Sequence, residues 1–133
     1  MNKYGILNSE ICKVLADLGH TDMVVIADCG LPIPDGVKKI DLALKLGTPG
    51  FIEVVELLTQ YMQIEKATIA SEIHAKNPAT YASLQKALGE QISLVEELSH
   101  EEFKLLTHKA RAIIRTGEAT PYANVILHAG VIF

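Results

Sequence analysis

His20 and Asp28 bracket the apolar run Met23-Val24-Val25-Ile26-Ala27, and between them they carry the groups needed to move a proton on a small polar ligand. The run reads as a buried strand. Gly19 stops the helix before it, and Asp28 opens a loop rich in Gly and Pro that extends to Gly36. In α/β sheets ligands settle outside the carboxyl ends of strands, which is where the Asp28 carboxylate falls. His20 follows a helix end, where the negative pole of the helix dipole suits a proton donor. Each residue also has a plainer use: a His capping helix carbonyls, and an Asp closing a turn.

A second group of polar side chains lies in the other half of the chain. His100 opens a helix, with Lys104 one turn along the same face, and near the helix start its neutral ring can both donate and accept. Tyr122 and Asn124 flank Ala123 after Thr120-Pro121. In extended backbone residues two apart project to one side, so phenol and amide together can grip hydroxyl groups. Read alone, the same residues form an ordinary turn into a final strand. His74, His108 and His128 have no carboxylate or loop context and read as structural or surface residues. The segment Gly30 to Gly36 lacks the dense glycines and the Lys of a phosphate loop, and reads as a rigid wall.

These residues need a scaffold, and the periodicity supplies one. Asn8 or Ser9 caps a first helix whose apolar positions are Leu7, Ile11, Val14, Leu15 and Leu18. Lys39 to Leu44 reads as a second strand, and Gly47-Thr48-Pro49-Gly50 breaks it. A second helix spans about Phe51 to Gln63, burying Val54, Val55, Leu58, Tyr61 and Met62. Lys66 to Ala70 is a strand. Asn77-Pro78 opens a third helix with Tyr81, Leu84 and Leu88 inside, and Gly89 closes it. Ile92-Ser93-Leu94-Val95 reads as a strand, and Ser99 with Glu102 forms a capping box for a fourth helix containing Phe103 and Leu106. Ala112 to Arg115 and Val125 to Leu127 complete the strands. Helices alternating with short apolar strands predict an α/β domain of three layers: a mostly parallel sheet, helices on both faces, and room for an antiparallel C-terminal strand.

The 133 residues fit a single domain, with 49% hydrophobic and 21% charged residues. A net charge of −4 without a basic block, and 5% aromatic content, argue against a nucleic-acid partner. No apolar run approaches a membrane span, and Met1-Asn2-Lys3-Tyr4-Gly5 lacks the layout of a secretory leader, so a cytoplasmic location is expected. Cys12 and Cys29 show no metal-ligand spacing and read as free thiols, and the histidines form no metal triad, so no metal and no cofactor are expected.

Three blocks, Asp17 to Gly36, Ser99 to Lys104 and Arg115 to Asn124, together resemble the D-ribose pyranase family, and the resemblance runs from Gly5-Ile6-Leu7-Asn8 to the C-terminus. It implies interconversion of the pyranose and furanose forms of D-ribose without a cofactor. His20 would be the acid, with Asp28, His100, Tyr122, Ala123 and Asn124 binding the sugar. It also implies a homo-oligomer, typically a decamer of two pentameric rings with sites at subunit borders. Other classes fit the same residues: a mutarotase for another aldose such as L-fucose, or a sugar-binding protein without catalysis. The roles of Lys104 and Glu118 stay open.

Overall fold

The computed structural model describes every residue except 91 and 93. Its elements, in chain order, are α1 (Ser9–Asp17), β1 (Met23–Ala27), β2 (Lys38–Asp41), α2 (Phe51–Tyr61), β3 (Ile64–Ala70), α3 (Ile73–Lys76), α4 (Pro78–Leu88), β4 (Val95–Leu98), α5 (His100–Leu106), β5 (Ala112–Arg115) and β6 (Val125–Ala129). The strands form one sheet in the order β2-β5-β1-β6-β3-β4. β1, β2 and β5 run parallel, as do β3 and β4, while β6 is antiparallel to both of its neighbours, β1 and β3. The antiparallel C-terminal strand therefore lies inside the sheet, next to β1 rather than β5.

Strand alternation divides the core between the two faces. Val24, Ile26, Ile114, Val125, Leu127, Ala67 and Ile69 pack under α1, α2 and α4, against Ile11, Val54, Val55, Leu58, Leu84 and Leu88. Val25, Ala27, Ala70, Ile113 and Ile126 face the other way, toward Phe103 of α5 and Leu31 of the loop after β1. The sheet is thus the middle of three layers.

The helix signals act as expected, with adjustments. Asn8 caps α1 by accepting the Ile11 N–H at 2.9 Å. Ser99 and Glu102 make both halves of a capping box. Gly89 closes α4 at φ 68°. Leu7 and Tyr61, expected on inner faces, are instead 72% and 51% exposed, and Ile6 and Phe51 take buried places. α1 ends at Asp17 with Leu18 already extended, so the backbone leaves the helix before Gly19. Asn77 precedes α4 but makes no side-chain cap. β2 starts one residue earlier than expected and ends at Asp41, and the chain then turns back through a Lys45–Thr48 bridge. The expected strand at Ile92 to Val95 is found at Val95–Leu98, and its Ser93 lies outside the described residues.

Candidate active site

At the carboxyl ends of the parallel strands, the chain leaves β1 toward β2 on one side of the sheet and leaves β3 toward β4 on the other, with β6 between. That divergence makes a crevice of the kind where open α/β sheets hold ligands. Asp28 sits there, directly after β1, and Tyr122, Ala123 and Asn124 enter it just ahead of antiparallel β6. His100, at the start of α5 beyond β4, completes the group.

Asp28 is fixed by residues from both ends of the sequence. Its backbone N–H donates to Asn124 Oδ1 at 2.8 Å, and the Asn124 amide donates to Asp28 Oδ2 at 2.9 Å. Its other carboxylate oxygen accepts the Gly30 N–H at 2.9 Å. Asn124 is fully buried. Its amide is therefore committed to Asp28, and it shapes the site by holding that carboxylate. Ala123 is also fully buried, with its methyl in the core under α1, α2 and α4.

Tyr122 has φ 57°, a left-handed backbone that a residue with a Cβ rarely adopts. Such strain persists where the surroundings impose it, often at functional sites. Asn77 braces the two residues before Tyr122, donating to Thr120 Oγ1 and to the Pro121 carbonyl, both at 2.9 Å. The Tyr122 ring meets the His100 ring edge to face at 5.1 Å. The His100 backbone N–H donates to both carboxylate oxygens of Glu72 at 3.0 Å, and that N–H holds the Glu72 carboxyl below the usual carboxylate range. His100 Nδ1 is buried and has no hydrogen-bond partner among the described residues. A buried polar atom left unpaired is the exception in folded proteins and marks a place where a partner is to be supplied.

His20 is elsewhere. It precedes β1 whereas Asp28 follows it, so the five residues of that strand separate them, roughly 16 Å at the usual rise per residue. His20 lines a cleft of about 530 Å3 at the opposite end of the sheet, with Leu18, Tyr61, Met62, Gly130 and Phe133 among its walls. Its Nε2 lies 2.8 Å from Glu65 Oε2. Asp28 thus cannot orient the His20 of its own chain. Lys104 pairs with Glu101 at 2.7 Å, and Glu118 accepts from the Phe51 N–H and from Thr120, which places both in structural contacts. His74 and His128 do have polar partners after all: His74 bonds Glu97, and His128 reaches Thr68 at 2.9 Å.

The profile of the RbsD / FucU transport protein family matches residues 1–132. The chain belongs to the RbsD / FucU family. Among its relatives there, the D-ribose pyranase of Exiguobacterium sibiricum is 61% identical over 133 residues, the full length of both chains. The structure of Bacillus subtilis RbsD complexed with D-ribose is 58% identical, covers both chains fully and superposes with a TM-score of 0.95. FucU from Bifidobacterium longum is 26% identical over 96% of this chain and 97% of its own, with a TM-score of 0.78.

Within this RbsD / FucU fold, sequence reasoning missed Glu72 and the reach of Asn77. Glu72 falls between β3 and the four-residue α3, a segment with no periodic pattern to flag it. Asn77 carried a helix-start signal, and only the three-dimensional contact reveals that its amide serves the segment before Tyr122.

Proposed function

We propose that this chain interconverts the β-pyranose and β-furanose forms of D-ribose by opening and reclosing the cyclic hemiacetal, acting as a single sugar-isomerase domain in the cytoplasm. The observation that carries the reading is the full-length likeness to ribose-bound RbsD at 58% identity, on a fold that gathers Asp28, His100 and Tyr122 in one crevice. Opening removes the anomeric hydroxyl proton and protonates the ring oxygen as the carbon–oxygen bond breaks. The C4 hydroxyl then adds to the free aldehyde, losing its proton while the carbonyl oxygen gains one to become the new anomeric hydroxyl. No redox step occurs, so acid–base groups and positioning suffice.

In this reading Asp28 accepts hydrogen bonds from sugar hydroxyls, His100 and Tyr122 bind along its edge, and the Tyr122–Ala123–Asn124 backbone borders it. His20 is the acid. Because His20 lies at the far end of its own β1, the acid that meets a given crevice is His20 of the partner subunit. Exposed apolar residues beside the His20 cleft support such an assembly: Tyr61, Ile132 and Phe133 are 51%, 90% and 100% exposed. The decamer of two pentameric rings that the family resemblance implies would supply such neighbouring copies.

Saturation-transfer NMR on equilibrated ribose tests the reading. Magnetisation is to pass faster from pyranose to furanose anomeric protons when the protein is present, and His20→Ala is to lower that gain by about 10²–10⁴-fold. Unchanged transfer with folded protein would leave only a sugar binder. Enhanced exchange of L-fucose without ribose would instead make the chain a mutarotase for another aldose.

A further inference from the structure

His20 and Glu65 meet through two local departures from regular backbone, one on each side of the contact. Thr21, directly after His20, has φ 71°, an outlier for a β-branched residue. The turn around it is pinned by the Thr21 N–H to the Ala129 carbonyl at 2.8 Å, by the Ala129 N–H to the Asp22 carbonyl at 2.8 Å, and by Asp22 Oδ2 accepting the Gly19 N–H at 2.9 Å. Glu65, on β3, sits where the register against β6 slips: Ile64 pairs Ala129 while Lys66 pairs His128, so two residues of β3 oppose one of β6. Such a bulge re-aims a side chain and is common beside active sites. Gly130 faces the bulge closely, since a Cβ there would stand 3.3 Å from Glu65 Cβ.

Stability does not explain this investment. The two side chains are 53% and 42% exposed, and ion pairs so open to water contribute little. What the contact does determine is which ring nitrogen carries hydrogen. An ionised carboxylate only accepts, so the His20 nitrogen 2.8 Å from Glu65 Oε2 must donate to it.

Resting on the assignment of His20 as the acid, we propose that Glu65 is a positioning residue that keeps a hydrogen on His20 Nε2, so that Nδ1 is the nitrogen that gives and takes the mobile proton. In the charged ring both nitrogens carry hydrogen, and Nδ1–H is delivered to the sugar ring oxygen. In the neutral ring Nε2–H stays on Glu65, and the bare Nδ1 accepts the proton released when the other ring form closes. The proton given to the ring oxygen is matched by the one taken from the closing hydroxyl. The anomeric oxygen loses its proton to water on opening and regains one from water on closure, so the count balances over one turnover. Glu65 holds the imidazole in one orientation and one tautomer, as carboxylates bonded to the far nitrogen of acting histidines do.

The test is 15N NMR of the histidine rings in the full-length protein, with His20 assigned by its disappearance in His20→Ala. With the ring neutral, the wild-type protein is to show hydrogen on Nε2. Glu65→Ala is to mix the tautomers and lower kcat for ribose exchange about 10–100-fold, with KM within about twofold. Glu65→Gln, whose carbonyl still accepts from Nε2–H, is to recover the tautomer and part of kcat. Hydrogen on Nδ1 in the neutral wild-type ring would overturn the proposal, as would a tautomer and kcat both unmoved in Glu65→Ala. Full exchange in His20→Ala would instead contradict the assignment of His20 as the acid, whereas the tautomer in the wild-type protein is read independently of activity.

Discussion

The Asp28–Asn124 pair shows how one side chain can fix another at the candidate site. Asn124 Oδ1 and Nδ2 are complementary to the N–H and carboxylate of Asp28, and both contacts are protected from water by the complete burial of Asn124. Asn124→Ala is expected to orphan the Asp28 N–H, costing about 1–3 kcal/mol in denaturant unfolding, and to abolish most ribose exchange. Wild-type exchange in a folded Asn124→Ala protein would refute that placement. Glu72 offers a parallel case. Removing it by Glu72→Ala takes the acceptor from the first N–H of α5, and by analogy with lost caps costs about 0.5–2 kcal/mol. It should raise KM for ribose more than it lowers kcat, because His100 then shifts. Asp28, His100 and Tyr122 were legible in the sequence through their motif positions. The Asn124 contact was not, since it joins positions 96 residues apart, a separation no local pattern encodes.

At the scale of elements, the helices were legible wherever a physical start or stop signal was present. The Ser99–Glu102 box, the Asn8 cap and Pro78 at the head of α4 each name a boundary. β4 was displaced because it is a short edge strand with Val95 exposed, two Glu residues and no fully buried position, so its sequence carries little apolar signal. Strand order was not legible, because pairing partners are chosen by long-range contacts; β6 inserts between β1 and β3. One loop contact has a firm consequence. A Cβ on Gly117 would lie 2.5 Å from the Thr48 carbonyl oxygen and 2.6 Å from that of Lys45, both backbone atoms that cannot swing aside. Gly117→Ala should therefore push the Lys45–Pro49 turn off β5 and destabilise the fold by about 1–3 kcal/mol, read as a lower unfolding midpoint. An unchanged midpoint would mean that the turn yields freely.

Across the whole molecule, one polar relay, buried at Thr68 and His128 and open to water at Glu96, ties three strands together. His128 of β6 bonds Thr68 of β3, Thr68 donates to Glu96 of β4, and Lys66 pairs with Glu96 at 2.9 Å. Burial pushes the His128 ring below its ordinary value near 6.5, with Lys66 adding to the effect and Glu96 and Glu65 opposing it. The unfolded chain then binds a proton that the folded chain refuses. Stability is therefore complete above about pH 6.5 and falls as the pH drops below it, until the folded ring also protonates. His128→Gln should flatten that fall below about pH 6.5 in denaturant titrations. A slope identical to wild type would exclude His128 as its source.

In the proposed assembly, the crevice at one end of the sheet is completed by His20 from another copy. The most direct test is ribose exchange by co-folded mixtures of His20→Ala and Asp28→Asn chains. Each variant alone is expected to be inactive, and mixed oligomers are expected to regain a measurable share of wild-type exchange, because some crevices then combine an intact Asp28 with an intact His20. Mixed oligomers that form yet stay as inactive as their parents would contradict the shared site.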